Sequence, residues 1–180
     1  YYDDSKLPFV LPSPNMPTFE TTLVYPGAAL IEGTNVSEGR GTTKPFELIG
    51  APFINGDQLA EKLNSLKLPG VAFRPASFIP TFSKHSGVLS HGIQIHVTNR
   101  NAYKPFETGL HIVKTIHDLY PGKFEFRAEN NSGISFFDNL VGNGSIREGI
   151  EAGKSVEAMQ AEWQGGLSEF METREKYLLY

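Results

Sequence analysis

The chain has 180 residues, which suits one domain with a substantial buried core. Hydrophobic residues make up 39% and aromatic residues 12%, a composition that excludes collagen, coiled coils and intrinsically disordered chains. A net charge of −4 argues against a general nucleic-acid binder, which needs a basic surface to displace counterions from phosphates. The lack of cysteine excludes disulfides and thiolate metal sites.

The start of the chain is rich in proline. Four prolines within residues 1–17 fix φ and remove amide donors, so we expect an irregular connector there. They also exclude a membrane helix in this stretch, and neither a transmembrane segment nor a signal peptide is recognisable. Because the chain begins with Tyr1 rather than Met, we expect it to be a processed or excised piece of something longer.

The next elements alternate between helix and strand. Thr18–Val24 predicts a short helix that ends at Pro26-Gly27, and the apolar run Ala28–Ile31 predicts a buried strand. Phe46–Ile49 predicts a second short strand. Asp57–Leu66 predicts a helix, since its leucines recur on one stripe and a Pro-Gly pair follows it.

Two longer strands are predicted over Val71–Phe82 and Gly87–Thr98, joined by a short polar turn. The second strand alternates cleanly between apolar and polar side chains. One face carries Ile93, Ile95 and Val97, and the other carries Gln94, His96 and Thr98. The polar face of this strand is therefore a candidate wall of a cleft.

The rest of the chain is mainly helical. Pro105 is a favourable first-turn residue for a helix that ends before Pro121-Gly122, and Phe124–Phe126 predicts an edge strand. A short helix over Ser145–Glu151 precedes a long one from Ser155 to about Tyr177. The sequence thus predicts an α+β (mixed α/β) fold: a single domain over residues 18–180, in which helices flank a small mixed sheet.

The segment 32–43 is the most polar stretch of the chain, with one apolar residue and three glycines. It follows a predicted buried strand, where α/β-type folds place binding loops. Glu32 and Glu38 flank the loop, and hydrolysis of a glycosidic bond commonly uses two carboxyl groups. The alternative is structural: Glu32 and Arg40 form an ion pair that ties the loop, and Glu38 is solvated.

Other catalytic motifs are incomplete. The run 152–155 lacks the first glycine and the preceding strand of a phosphate-binding P-loop. Ser37 lacks the first glycine of a nucleophile elbow, although His85, His91 or His96 offers a base, so a serine esterase-like hydrolase stays open as an alternative. The histidine spacings do not suit a protein-only metal site, and we expect neither a metal nor another cofactor.

Long, ordered motifs carry a family resemblance. They are Pro12-Ser13-Pro14-Asn15-Met16-Pro17-Thr18, Val24-Tyr25-Pro26-Gly27, the run from Glu32 to Phe46, Phe73-Arg74-Pro75, Pro80-Thr81-Phe82-Ser83-Lys84-His85, Gly92-Ile93-Gln94-Ile95-His96-Val97-Thr98 and the ending Tyr177-Leu178-Leu179-Tyr180. Taken together, these motifs resemble the exo-β-N-acetylmuramidase family of the NamZ type over essentially the whole chain.

The resemblance implies an exported bacterial glycosidase that releases N-acetylmuramic acid from peptidoglycan fragments, in the periplasm or outside the cell. It also implies a Rossmann-like amino-terminal domain that is absent here, with the active site in the cleft between the two domains. This chain would be the carboxy-terminal α/β domain and its connector. Its partners would be a muramic acid saccharide and the missing domain, and the isolated chain is expected to be inactive.

The polar positions that match the family are the candidate site residues. The catalytic candidates are Glu32 and Glu38. The candidates for substrate binding are Asn35, Ser37, Arg40, Thr42, Lys84, His85, Gln94 and His96. Arg40 is expected to bind the lactyl carboxylate, because a guanidinium fork fits a carboxylate bidentately. The alternative to a catalytic role is a glycan-binding or structural domain without activity of its own.

Overall fold

The computed structural model describes residues 2–128 and 134–179. Within these residues the elements in chain order are α1 (Phe19–Ala28), β1 (Leu48–Ala51), α2 (Gly56–Ser65), β2 (Val71–Phe78), β3 (Ser90–Val97), α3 (Pro105–Leu119), α4 (Phe136–Val141), α5 (Ser145–Glu151) and α6 (Val156–Glu175), with short 3-10 helices at Tyr2–Ser5 and Ala29–Gly33. The predicted α+β class is confirmed. The connector boundary at residue 17 stays a prediction.

The sheet has the strand order β1-β3-β2 and is antiparallel throughout rather than mixed. In the central strand β3, Ile93 lies opposite Ile49 and Ile95 lies opposite Phe73, and all four side chains are buried. His96, on the other face, is exposed. The predicted alternation of β3 is therefore confirmed, since one face of the sheet packs on the core.

Helices α2 and α3 form where their sequence signals predict. The side chain of Asn55 caps α2 by accepting a hydrogen bond from the Gln58 amide at 3.0 Å, which satisfies one of the free donors of the first turn. Pro105 opens α3, where its missing amide donor costs nothing. The inner face of α3 is fully buried, so α3 forms a central part of the core.

The predicted strand Ala28–Ile31 is wrong. Helix α1 continues through Pro26 to Ala28, and the chain then turns as the 3-10 helix Ala29–Gly33, whose Ile31 is completely buried. Helix packing overrides the proline signal, because α1 approaches α3 at a glycine: a Cβ on Gly27 would lie 1.8 Å from the Pro105 carbonyl oxygen. A short apolar run cannot distinguish a buried strand from a buried helical turn.

The boundaries of the long predicted strands also shift. Strand β2 ends at Phe78 rather than at Phe82, and β3 begins at Ser90 rather than at Gly87. Residues 79–89 therefore form a longer connection than the short turn that was predicted. Phe124–Phe126 is not an edge strand of the sheet. Instead, Phe126 forms an isolated antiparallel bridge with Thr34, which brings this segment beside the polar loop.

The long carboxy-terminal helix is confirmed as α6, with the Ser155 side chain capping its first turn by accepting from the Ala158 amide at 3.2 Å. Only its beginning joins the core, since Met159 is buried but Phe170 is 59% exposed. The apolar side chains of α6 therefore pack on the core only over the first turns of the helix. No helix in residues 2–128 or 134–179 has the length and apolarity needed to cross a membrane.

Candidate functional site

The polar loop is fastened on both sides by backbone hydrogen bonds. On one side, Ser37 and Gly50 of β1 exchange two bonds of 2.8 and 3.0 Å. On the other side, the Asn35 amide donates to the Glu125 carbonyl at 2.9 Å, next to the bridge between Thr34 and Phe126. A loop that is held at two edges in this way presents its side chains in a fixed geometry.

Two hydroxyl groups stabilise the loop from within. The Ser37 hydroxyl accepts from the Gly39 amide at 3.1 Å, and Ser37 is only 1% exposed. The Thr42 hydroxyl donates to the Gly39 carbonyl at 2.6 Å. These are local side-chain to backbone bonds that favour turns. A substrate-binding role for Ser37 and Thr42 stays a prediction, and the burial of Ser37 does not suit an exposed nucleophile.

The loop forms one wall of an open pocket with a volume of about 540 Å³, a size in the range of small-molecule sites. Its lining residues are Glu32, Thr34, Asn35, Glu38, Arg40, Ser83, Lys84, His85, Arg127 and Phe136. The structure thus brings together six of the candidates named from the sequence: Glu32, Asn35, Glu38, Arg40, Lys84 and His85.

Four of these side chains form a continuous row of alternating charge. Arg40 Nε lies 2.9 Å from Glu32 Oε1 and 3.3 Å from Glu38 Oε1, and its Nη2 also donates to Glu32 Oε1. Lys84 Nζ lies 2.9 Å from Glu38 Oε2. The Glu32 side chain is 18% exposed and that of Glu38 only 3%. The predicted ion pair between Glu32 and Arg40 is confirmed, whereas the alternative of a solvated Glu38 is wrong.

Lys84 connects this row to the backbone of the loop. Its ammonium donates to the carbonyl oxygens of Ile31 at 2.9 Å and Val36 at 2.8 Å. Burial lowers the pKa of Lys84, and the neighbouring Glu38 opposes that shift without cancelling it. Lys84 therefore fixes the backbone on either side of the segment 32–35 while it balances the charge of Glu38.

His85 and Asn35 hold the rim of the pocket. His85 Nε2 donates to the Asn35 carbonyl at 2.8 Å. The Asn35 side chain donates to the Lys123 carbonyl at 2.8 Å and accepts from the Glu125 amide at 3.1 Å. The turn that carries His85 is strained, since Ser83 and His85 have φ values of 71° and 56°. Strained backbone of this kind concentrates at functional sites.

Arg127 and Phe136 are pocket residues that the sequence reasoning missed. The Arg127 amide donates to the Gly33 carbonyl at 2.8 Å, and its guanidinium lies 5.2 Å from the centre of the Phe136 ring. Along the chain, Arg127 is far from Glu32. The bridge between Phe126 and Thr34, together with the Asn35 side-chain bonds to Lys123 and Glu125, brings the two segments together. The extended Phe124–Phe126 pattern was the one available signal, and it did not identify the pairing partner.

Gln94 and His96 lie on a different surface. Gln94 Oε1 accepts from Arg74 Nη2 at 2.8 Å, and both Gln94 and His96 line a separate depression beside Glu20 and Lys44. The structure does not bring them to the pocket, and their role stays a prediction. In the described part of the chain, no group of three or more His, Asp or Glu side chains is arranged to hold a metal ion.

Together, these features define a mixed α+β domain that carries a polar, ion-paired small-molecule pocket on a rigid loop. The family described as "Exo-beta-N-acetylmuramidase NamZ, C-terminal" matches residues 23–180. The chain belongs to this family.

Three relatives show how far the similarity extends. The chain is 60% identical over 179 residues to the "Peptidoglycan beta-N-acetylmuramidase NamZ" of Bacillus subtilis (strain 168), covering 99% of the chain and 42% of that protein. The crystal structure of a DUF1343 family protein from Bacteroides fragilis NCTC 9343 matches with a TM-score of 0.88 at 28% identity. This match covers 99% of the present chain and 47% of the Bacteroides chain. A second such protein gives a TM-score of 0.67 at 29% identity, with coverages of 94% and 43%. The chain therefore spans less than half the length of each of these relatives.

Proposed function

We propose that the chain supplies one wall of the active site in a longer exo-β-N-acetylmuramidase, which hydrolyses terminal N-acetylmuramic acid β-glycosidic bonds in peptidoglycan fragments. The observation that carries this proposal is the Glu32 carboxylate, held by Arg40 at the wall of an open pocket. The 60% identical relative bears the name of this activity, which supports the same assignment.

In this reaction, water adds to the anomeric carbon, the bond to the leaving oxygen breaks, and that oxygen takes up a proton. Glu32 is the carboxylate that reaches the substrate, because its side chain is more exposed than that of Glu38. Glu38 is a positioning residue that acts through Arg40, since the same guanidinium contacts both carboxylates. The second reacting group comes from the remainder of the longer protein.

Two consequences follow for the chain and for the longer protein. The isolated chain is inactive, because it contributes one wall and one accessible carboxylate to a reaction that commonly uses two carboxyl groups. The longer protein is exported and acts in cell-wall turnover, because peptidoglycan lies outside the cytoplasmic membrane. Activity assays on the chain alone and on the longer protein, together with fractionation of the producing cells, test both consequences.

The decisive experiment replaces Glu32 by Gln in the longer protein and measures turnover of an N-acetylmuramic acid β-glycoside. We expect kcat to fall by about 100-fold or more, a typical loss when a proton-transferring or reacting carboxyl group is removed. Glu47→Gln is the matched control. Glu47 lies outside the pocket and is also ion-paired, with Lys44 Nζ at 3.1 Å and a side chain only 6% exposed.

Because Glu47 is more buried than Glu32, its replacement is the harsher test of folding. We expect it to leave kcat unchanged, since Glu47 does not line the pocket. Normal turnover in Glu32→Gln would contradict the catalytic assignment. Equal loss in the two variants would instead indicate a structural cause.

A second candidate function is glycan binding without catalysis by this domain. The observation that favours it is the pairing of both carboxylates with cations, because such a row of charges can serve to orient a bound sugar. In that case Glu32→Gln weakens binding, seen as a raised KM, and leaves kcat of the longer protein unchanged. The two candidates are thus separated by the same kinetic experiment.

A further inference from the structure

The charged side chains that line the pocket do not balance. Among the residues that the structure describes, two carboxylates, Glu32 and Glu38, face three cations, Arg40, Lys84 and Arg127. Arg40 contacts both carboxylates, and Lys84 contacts Glu38. Within residues 2–128 and 134–179, no carboxylate forms an ion pair with Arg127. In the described part of the chain, the acidic residues of the pocket therefore leave one of its three positive charges without an ion-pair partner.

The surplus charge is held in a defined position. The Arg127 backbone is anchored to Gly33, directly after Glu32, by the hydrogen bond of 2.8 Å. Its guanidinium lies 5.2 Å from the centre of the Phe136 ring, and Nη1 is 3.4 Å from the Glu32 carbonyl oxygen, a long and weak contact. Arg127 is exposed, so the remaining donors of its planar fork are available to a ligand.

We infer that Arg127 binds the carboxylate of an acidic sugar in this pocket, the lactyl group of N-acetylmuramic acid. The inference rests on the proposed function and names the residue that would separate muramic acid from N-acetylglucosamine, which lacks this carboxylate. A guanidinium binds a carboxylate through two parallel hydrogen bonds, which gives both affinity and orientation.

The other two cations are less suited to this task. Arg40 is already shared between Glu32 and Glu38, so a third carboxylate would have to compete with both. Lys84 is largely buried, donates to two backbone carbonyls and is ion-paired with Glu38. The charge of Arg127 also contributes, after burial, to lowering the pKa of Lys84. A bound anion beside Arg127 would relieve this repulsion.

The test uses the longer protein and two aryl β-glycosides, one of N-acetylmuramic acid and one of its lactyl carboxamide. For Arg127→Leu we expect kcat/KM on the acid to fall by about 10- to 100-fold, the value of a lost charge-assisted hydrogen bond. On the carboxamide we expect a change within about 3-fold, since no charge is there to be lost. Arg127→Lys keeps the charge without the planar fork of donors. Its kcat/KM on the acid should lie between the values of the wild type and of Arg127→Leu, mainly through a raised KM.

Arg174→Leu is the matched control, because Arg174 lies on the exposed part of α6, away from the pocket. It should leave kcat/KM on both substrates unchanged. Equal losses of Arg127→Leu on acid and carboxamide, or no loss on either, would overturn the inference while an active wild type keeps the proposed function intact.

A wild type that hydrolyses neither glycoside would instead contradict the proposed function. The inference is then decided by calorimetric binding of free N-acetylmuramic acid and free N-acetylglucosamine. Preference for the acidic sugar that disappears in Arg127→Leu supports the role of Arg127. Absence of binding, or a preference that survives the substitution, overturns it.

Discussion

Lys84 is the side chain on which both the loop and the buried charge of the site depend. Its ammonium donates to the carbonyl oxygens of Ile31 and Val36 and lies 2.9 Å from Glu38 Oε2. Lys84→Met keeps most of the apolar stem and removes only the charged donor. The variant leaves Glu38, whose side chain is 3% exposed, with Arg40 Nε at 3.3 Å as its remaining cation.

We expect this substitution to lower the free energy of unfolding by roughly 3 kcal/mol. Removing one partner of a buried ion pair costs about 3–5 kcal/mol, and the lower end applies because Arg40 remains beside Glu38. The carbonyl oxygens of Ile31 and Val36 also lose their Lys84 donor, which adds to the loss of stability. Water that enters at the Lys84 position, where the side chain is 16% exposed, reduces this loss. For a chain of this length, the melting temperature should drop by roughly 6–12 °C.

The assay is chemical denaturation of the chain, followed both by circular dichroism and by the fluorescence of Trp163, its single tryptophan. Agreement of the two probes tests for a two-state transition. The control is Lys154→Met, whose pair with Glu162 is exposed on both sides, with side-chain exposures of 44% and 53%. This control substitution should lower the free energy of unfolding by no more than about 0.5 kcal/mol.

A double-mutant cycle with Glu38→Gln separates the ion pair from other effects. If the reasoning is correct, Lys84→Met should be at least about 1 kcal/mol less harmful when Glu38 is already neutral. Losses that simply add, or a loss in Lys84→Met as small as that in Lys154→Met, would refute the assignment of Lys84 as the buried counter-ion of Glu38.

Two further predictions concern packing and pH. Gly27→Ala should lower the free energy of unfolding by about 2 kcal/mol or more, because its Cβ would lie 1.8 Å from the Pro105 carbonyl oxygen. A Cβ on Gly165 would meet no atom within 4 Å, so Gly165→Ala should raise the free energy of unfolding by about 0.5–1 kcal/mol. If both substitutions changed stability in the same direction, this contrast would be wrong. Burial lowers the pKa of His111 below 6.5, against a smaller opposing effect of Glu157. As the pH falls through 6.5, the unfolded chain therefore binds the proton first and the fold loses stability. His111→Gln should reduce the difference in the free energy of unfolding between pH 7 and pH 5, measured from denaturation curves at each pH. An unchanged difference would contradict the assignment.

Elements with a complete local signal were predictable. Strand β3 alternates between core and polar face, and Ile93 and Ile95 are buried as that alternation requires. Helix α2 has a leucine stripe and a following Pro-Gly pair, and Pro105 marks the start of α3. In each case the local pattern and the tertiary packing favour the same structure, so no long-range information was needed.

Elements whose structure depends on a distant partner were not predictable. The run Ala28–Ile31 was predicted as a buried strand but is helical, because α1 continues to Ala28 and meets α3 at Gly27 and Gly109, which no local pattern reveals. The same limit applies to the site. The acidic and basic residues of the loop were found because they are neighbours in sequence, whereas Arg127 reaches the pocket through the long-range pairing of Phe126 with Thr34.

The pocket thus combines two kinds of cation with different consequences for mutation. Lys84 contacts Glu38, Glu38 contacts Arg40, and Arg40 holds Glu32, so a change at Lys84 reaches the most accessible carboxylate through consecutive ion pairs. Stability and activity should therefore fall together in Lys84 variants. Arg127 forms no ion pair with this row in the described part of the chain, although its guanidinium makes a long contact with the Glu32 carbonyl oxygen. Its replacement should change which sugar is accepted while the fold and the Glu32–Arg40 pair remain intact, because no buried carboxylate loses its partner.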